Sequence, residues 1–189
     1  MEHTKIVVAS GNMHKIEEIK SIFFGVEIIP MKDAGFTGEI VENGTTFREN
    51  AYIKAKTVCD ALHVPVLSDD SGLCVDVLHG APGIYSARFS GEGDKGNRAL
   101  LLKQLKDLSH RQAHFECCVC LTYPDGHIIF GEGKTYGKIL YEEIGESGFG
   151  YDSLFYSDDL KKSFGMASEE EKNSVSHRAR ALWDLKSKL

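Results

Sequence analysis

An apolar, β-prone run, Val64-Pro65-Val66-Leu67, stops at Ser68-Asp69-Asp70-Ser71-Gly72, and a second apolar run, Leu73-Cys74-Val75-Asp76-Val77-Leu78, follows at once. This sets two adjacent carboxylates at the end of a buried strand, a demand that few folds can meet. Like charges raise one another's pKa, and burial sharpens the conflict, unless a cation or hydrogen-bond donors compensate. A hard divalent cation resolves it, because magnesium takes one or two carboxylates together with phosphate oxygens and water. Asp-Ser-Gly is also ordinary turn chemistry, so a solvated Asx-type turn is the alternative reading of the same residues.

Around this stretch, strand and helix signals alternate. Lys5-Ile6-Val7-Val8-Ala9 is a β-rich run ending at Ser10-Gly11-Asn12, and from Met13 the residues Met13, Ile16, Ile19 and Phe23 recur at helical spacing. A helix that opens after such a turn offers free backbone N–H groups and a positive dipole end, together an anion site to which Lys15 adds a full charge. Lys15 reads equally well as a surface residue after an ordinary cap. The spaced glycines and Gly-Lys-Ser/Thr ending of a Walker A loop are missing. Val26–Pro30 reads as a strand, followed by a glycine-punctuated loop with Glu39, Glu42 and Asn43-Gly44. Thr46-Phe47-Arg48-Glu49 matches a capping box, opening a helix with Phe47, Ala51, Ala55, Val58 and Leu62 inward. Asn50, Lys54 and Lys56 fall off that stripe and default to solvent, with Lys54 functional only if the helix borders phosphate groups.

The segment from Gly80 to Gly91 joins Pro82, glycines, Tyr85, Phe89 and Arg88 in an irregular stretch suited to a pocket wall or a subunit contact. Asn97 to Leu108 is expected to be a helix with Leu101, Leu105 and Leu108 inward. His114–Tyr123 has strand composition, Pro124-Asp125-Gly126 is a turn, and His127–Gly133 returns as its antiparallel partner, continued by Tyr136–Leu140. Parallel strands joined to an antiparallel hairpin predict an α/β chain with a mixed sheet and flanking helices. Gly148-Phe149-Gly150-Tyr151-Asp152 sets aromatic rings among glycines, and such rings either stack on a nucleobase or plug a core. Ser168-Glu169-Glu170-Glu171 is a second capping box, expected to open one helix that buries Val175, Ala179, Leu182 and Leu189. Lys172, His177 and Arg178 ride on it as donors for a base edge or phosphate, or else as a solvated basic face.

Composition narrows the class. A chain of 189 residues, 42% hydrophobic and 26% charged, is one globular domain, 1–189, able to bury a substantial core. The net charge of −6 argues against nucleic acid as the partner, which needs an extended basic field, but leaves room for a small anionic ligand. No signal-peptide pattern and no apolar run of membrane length is present, which predicts a cytoplasmic protein with no membrane partner. Cys59, Cys74, Cys117, Cys118 and Cys120 are odd in number and lack any C-x-x-C spacing. They read as reduced, buried thiols, and the spacing argues against a zinc site.

The order Ser10 to Lys15, Thr46 to Ala51, Ser68 to Leu73, Gly80 to Phe89, Phe149 to Asp152 and Ser176-His177-Arg178 strongly resembles the non-canonical purine nucleoside triphosphate pyrophosphatases, the Ham1-like and RdgB-like inosine triphosphatase family. The likeness covers about residues 5 to 185. It implies a mixed twisted β-sheet with flanking helices, two lobes around a central active-site cleft, and a homodimer. It further implies Mg2+-dependent hydrolysis of ITP, dITP and XTP between the α- and β-phosphates, giving the monophosphate and pyrophosphate. On this likeness Ser10, Gly11, Asn12, Met13, His14 and Lys15 cradle the triphosphate. Glu42 and Asp70 serve the metal, Asp70 is the general base, and Lys54 helps with phosphate charge. Ser71, Phe149, Gly150, Tyr151, Asp152, Lys172, His177 and Arg178 hold the nucleotide. The chain departs from the pattern at Ser153, where proline is common, and at Asn43, where threonine often precedes the glycine. A pyrimidine-directed Maf-like pyrophosphatase and a non-enzymatic nucleotide sensor are the alternatives.

Overall fold

The computed structural model describes residues 5–23 and 25–189. Its described strands are β1 (Lys5–Val8), β2 (Glu27–Pro30), β3 (Val66–Val75), β4 (Gln112–Thr122), β5 (Ile128–Ile139), β6 (Phe155–Ser157) and β7 (Lys162–Ser163). They form a seven-stranded sheet in the order β2-β1-β3-β4-β5-β6-β7. β1 pairs in parallel with β2 and β3, whereas β6 pairs antiparallel with β5 and β7, so the sheet is mixed as expected. Five α-helices are described, α1 (Met13–Ile22), α2 (Phe47–Leu62), α3 (Gly93–Gln104), α4 (Glu169–Asn173) and α5 (His177–Lys186). None of the described helices is long and apolar enough to cross a membrane.

The chain divides into two compact units. The first comprises residues 1–70, 117–133 and 178–189, and the second residues 71–116 and 134–177. In the first unit the apolar faces of β1, β3, β4, α1 and α5 supply a core of Ile6, Val8, Ile16, Ile19, Leu67, Val119, Leu121, Leu182 and Leu185. The second has its own core, with Leu73, Val75, Leu101, Leu105, Phe115, Ile139, Leu154, Phe155 and Phe164. Phe115 and Phe155 meet there at 4.7 Å between ring centroids, tilted by 58°, which avoids the face-to-face sandwich that aromatic quadrupoles disfavour.

Several boundaries differ from the sequence expectation for local reasons. β3 runs unbroken for ten residues through Asp69 and Asp70, so the pair lies within a strand rather than at its end. Met13 opens α1 but is 54% exposed, and the inward face is carried by Ile16, Ile19 and Ile22. α3 runs from Gly93 to Gln104, ahead of the expected Asn97 to Leu108, so Asn97 lies inside the helix rather than at its start. The Asn97 side chain instead accepts from the Ser90 backbone N–H at 2.7 Å and donates to the carbonyls of Ser86 and Ala87. In α2, Asn50 and Lys54 are buried rather than solvated. The single helix expected after Ser168 is two helices, so Lys172 does not share one with His177 and Arg178. Ser174 ends α4, its hydroxyl donating to the Glu171 carbonyl at 2.7 Å, the local competition that makes serine a poor helix-interior residue. Leu189 is 62% exposed, and Ala181 and Leu185 are buried in the role expected of it. The segment around Tyr85 is not wholly irregular, since Gly83–Arg88 winds into 3-10 turns.

Candidate active site

In the first unit β1 passes through a tight turn into α1, the order the sequence predicts. Asn12 caps α1, its side-chain oxygen accepting from the Lys15 N–H at 3.3 Å, while its own N–H donates to Ser10 Oγ at 3.1 Å. Gly11, Asn12, Met13 and His14 are exposed, and Ser10 and Lys15 are half-buried. That leaves an accessible helix N-terminus, where the macrodipole favours an anion.

Asp69 and Asp70 escape mutual repulsion through the period of the strand, which sends successive side chains to opposite faces. Each carboxylate then has its own cations. Asp69 Oδ2 accepts from Arg178 Nε at 3.1 Å and Nη2 at 2.9 Å, and Oδ1 lies 3.2 Å from Lys15 Nζ. Arg178, at 1% exposure, also donates through Nη1 to Glu18, itself buried in α1. Burial alone would raise the Asp69 pKa, but Lys15, then Arg178 and Lys54, hold it well below the usual carboxylate range. Those charges keep Asp69 ionised, and they tie α1, β3 and α5 to one buried knot.

Asp70 meets a different environment. Lys54 Nζ donates to Asp70 Oδ1 at 3.0 Å and to Glu42 Oε2 at 2.8 Å, bridging the two carboxylates. Burial outweighs Lys54 and Lys15 and lifts the Asp70 pKa above its ordinary value. On Lys54 the balance is reversed. Burial works against the ammonium, but Asp70, Asp69 and Glu42 together raise its pKa, so it stays charged. Asp70 Oδ2 is buried and has no hydrogen-bond partner among the described residues. A buried carboxylate oxygen without a donor is costly in a folded protein. Oxygen donors from Glu42 and Asp70, with that atom unsatisfied, fit a hard cation such as magnesium.

The second unit holds the remaining predicted residues. Asp152 Oδ2 accepts from the Phe149 N–H at 2.9 Å and from Lys172 Nζ at 2.7 Å, and both members of the ion pair are buried. Lys172 Nζ also lies 4.5 Å from the Phe149 ring centroid, a cation–π contact. Gly148 has φ +77°, and a Cβ there would come within 2.1 Å of Asp152 Oδ2, so glycine is required at that turn. Tyr151 is buried with its hydroxyl donating to the Ser86 carbonyl at 2.8 Å, while Arg98 and Asp94 grip the Gly150 carbonyl and N–H. Phe149 and Gly150 are half-buried. His177 stacks on Phe115 at 4.8 Å and 15°, and Ser71 is half-buried on β3. Ser153, where the family pattern favours proline, uses its hydroxyl to donate to Glu143 at 3.0 Å.

Three supporting residues were not singled out from sequence. Glu18 was legible in principle as a carboxylate on the same helical face as Ile22. Asp94 and Arg98 carry no such signal, because the turn they hold is distant in sequence.

Comparison with known proteins agrees with this arrangement. The sequence profile of the Ham1 family matches residues 6–188. A Desulfotalea psychrophila protein described as a dITP/XTP pyrophosphatase is 45% identical over 185 residues, covering 96% of this chain and 83% of that protein. A Haemophilus influenzae protein of the same description is 46% identical over 193 residues, covering 98% of each. The solved structure of the Staphylococcus aureus Ham1 protein superimposes with a TM-score of 0.88 at 38% identity, covering 97% of each chain. An α/β chain with this mixed sheet, matched along nearly its whole length in both sequence and structure, belongs to the Ham1 family.

Proposed function

We propose that this chain is a nucleoside triphosphate pyrophosphatase that hydrolyses ITP, dITP and XTP to the monophosphate and pyrophosphate, clearing deaminated purines from the nucleotide pool. The observation that carries the reading is the pair of carboxylates, Glu42 and Asp70, bridged by the Lys54 ammonium, with Asp70 Oδ2 left unsatisfied. The descriptions of the relatives as dITP/XTP pyrophosphatases supply the substrate class. Glu42 and Asp70 would hold magnesium, which when bound supplies charge neutralisation and Lewis-acid activation of the phosphates.

The chain's own residues have separate tasks. The α1 N-terminus, Ser10, Gly11, Asn12, Met13, His14 and Lys15 take the phosphate oxygens. Asp70, lifted by burial, accepts a proton from water as the water oxygen bonds to phosphorus. The bridging P–O bond breaks, and pyrophosphate leaves with the electron pair. Lys54 stays protonated beside the growing charge. Holding the nucleoside falls to Ser71, Phe149, Gly150, Tyr151, Asp152, Lys172, His177 and Arg178. Arg178 would reach a base only by exchanging Asp69 or Glu18 for a substrate oxygen. A 6-oxo purine presents an acceptor to such donors, whereas the 6-amino group of adenine would leave a donor facing donors. The same reading extends to a cytoplasmic homodimer.

The test is pyrophosphate release from ITP, XTP, dITP, GTP, ATP and UTP, with magnesium and with a chelator. Metal-dependent turnover concentrated on ITP, XTP and dITP is the expected result. UTP ahead of ITP would move the chain to pyrimidine chemistry, and triphosphate binding without pyrophosphate release would remove the enzymatic reading.

A further inference from the structure

The sheet of the second unit has two faces, and one of them carries chemistry that pyrophosphate release does not use. On β4, Ala113 and Phe115 point into the apolar core, which turns His114 and Glu116 to the other face. On β3, Leu73 and Val75 are in that core, which turns Cys74 to the same side as His114 and Glu116. β3 and β4 are neighbours in the sheet, so three residues separated by up to 42 positions in sequence converge. One ligand atom each from Cys74, His114 and Glu116 lies within 4.8 Å of the others.

We propose that Cys74, His114 and Glu116 bind one zinc-class divalent cation on the face of the sheet opposite the apolar core of the second unit. The donor set is one sulfur, one imidazole nitrogen and one carboxylate, the mixture that zinc takes and magnesium does not. Zinc bonds of about 2.0–2.3 Å require the three atoms to close up by roughly 1 Å, within the reach of side-chain rotation. Cys74 is buried while His114 and Glu116 are half-buried, which gives the ion a protein floor and leaves its remaining position to water. The His114 ring packs against Tyr136 at 5.6 Å between centroids, an outer contact that limits its orientation. On binding, the Cys74 thiol gives its proton to solvent, and thiolate plus carboxylate balance the two charges of the ion. Lys134 Nζ holds Glu116 at 2.9 Å, with its side chain 44% exposed, and it competes with the cation for that carboxylate. The site does not depend on the nucleotide reading, since it shares no residue with Glu42, Lys54 or Asp70.

The test uses the full chain, stripped with a chelator and titrated with Co2+ alone and then Zn2+ alone. The expected result is a thiolate-to-cobalt charge-transfer absorption that saturates at one ion per chain and is displaced by one equivalent of zinc. Cys74→Ser abolishes the absorption and Cys59→Ser leaves it intact. His114→Gln, at a half-exposed position that does not endanger folding, weakens zinc binding by at least about tenfold, the loss typical even of an outer-shell partner. Lys134→Gln tightens it several-fold. Absence of stoichiometric zinc at micromolar protein overturns the proposal. So does a cobalt absorption that survives Cys74→Ser, or zinc affinity unchanged in His114→Gln.

Discussion

Replacing Asp69 by Asn tests whether the buried knot of charges holds the first unit together. In the wild type the Asp69 side chain is fully buried, and the Arg178 side chain is 1% exposed and pinned by Asp69 and Glu18. Removing one partner of such a pair costs about 3–5 kcal/mol, because the other charge is left buried without compensation. An Asn oxygen still accepts one Arg178 hydrogen bond, and Glu18 remains, so the lower figure of about 3 kcal/mol applies. For a chain of this size that is a fall of about 6–12 °C in thermal midpoint, followed by circular dichroism at pH 7. Because the folded pKa of Asp69 is depressed, its contribution is complete above the unfolded value and is lost as pH falls through the folded one. The gap between wild type and Asp69→Asn therefore stays constant from pH 7 down to about pH 5 and narrows only in stronger acid. Adding Arg178→Met to Asp69→Asn also takes the guanidinium from buried Glu18, so the double variant is less stable than Asp69→Asn alone but loses less than the two single losses summed, because Asp69 and Arg178 bond directly. An Asp69→Asn protein melting within about 2 °C of wild type would refute the account. A double variant less stable than the sum of its singles would do the same.

Other consequences follow from the same geometry. Asp70→Asn keeps the fold by circular dichroism and lowers kcat for ITP by about 10²–10⁴, the range typical of a lost general base. Glu42→Gln retains Lys54 contacts to Asp70 but raises the magnesium concentration needed for half-maximal pyrophosphate release, measured by metal titration of the rate. Lys172→Met takes the cation from buried Asp152 and from beside Phe149, so both the thermal midpoint and the KM for ITP worsen. Gly131→Ala places a Cβ 2.1 Å from the Ala181 carbonyl oxygen and costs about 1–3 kcal/mol in thermal or denaturant unfolding, because α5 must shift.

Local chemistry was well written in the sequence. Asn12 and Thr46 cap their helices as expected, and the box at Ser168 and Glu171 closes in both directions. At Thr46 the box is only half made, since Glu49 turns to the N–H and hydroxyl of Thr45 instead. The hairpin across Pro124-Asp125-Gly126 closes with the Tyr123 N–H on the His127 carbonyl at 2.9 Å. These features depend on residues a few positions apart, which is the range over which spacing carries information. The burial of Asn50 and Lys54 was not legible, because it depends on what lies across from α2. Asn50 Oδ1 accepts from the Gly44 N–H at 2.9 Å, and Lys54 finds Glu42 and Asp70, so both polar side chains are satisfied where an apolar stripe alone would leave them in solvent.

The same distinction explains why the carboxylate pair misled as to its position in the strand. As a linear stretch, Asp69-Asp70 is a conflict that a strand end or a turn would relieve. The strand's two-residue period dissolves the conflict by sending one carboxylate to Lys15 and Arg178 and the other to Lys54. One member, Asp69, is held ionised by its cations. The other keeps a raised pKa and an unsatisfied oxygen, which is the state a water-activating base needs. Two adjacent residues of the same type thus meet different surroundings, and on the proposed mechanism Asp69→Asn lowers stability whereas Asp70→Asn lowers turnover.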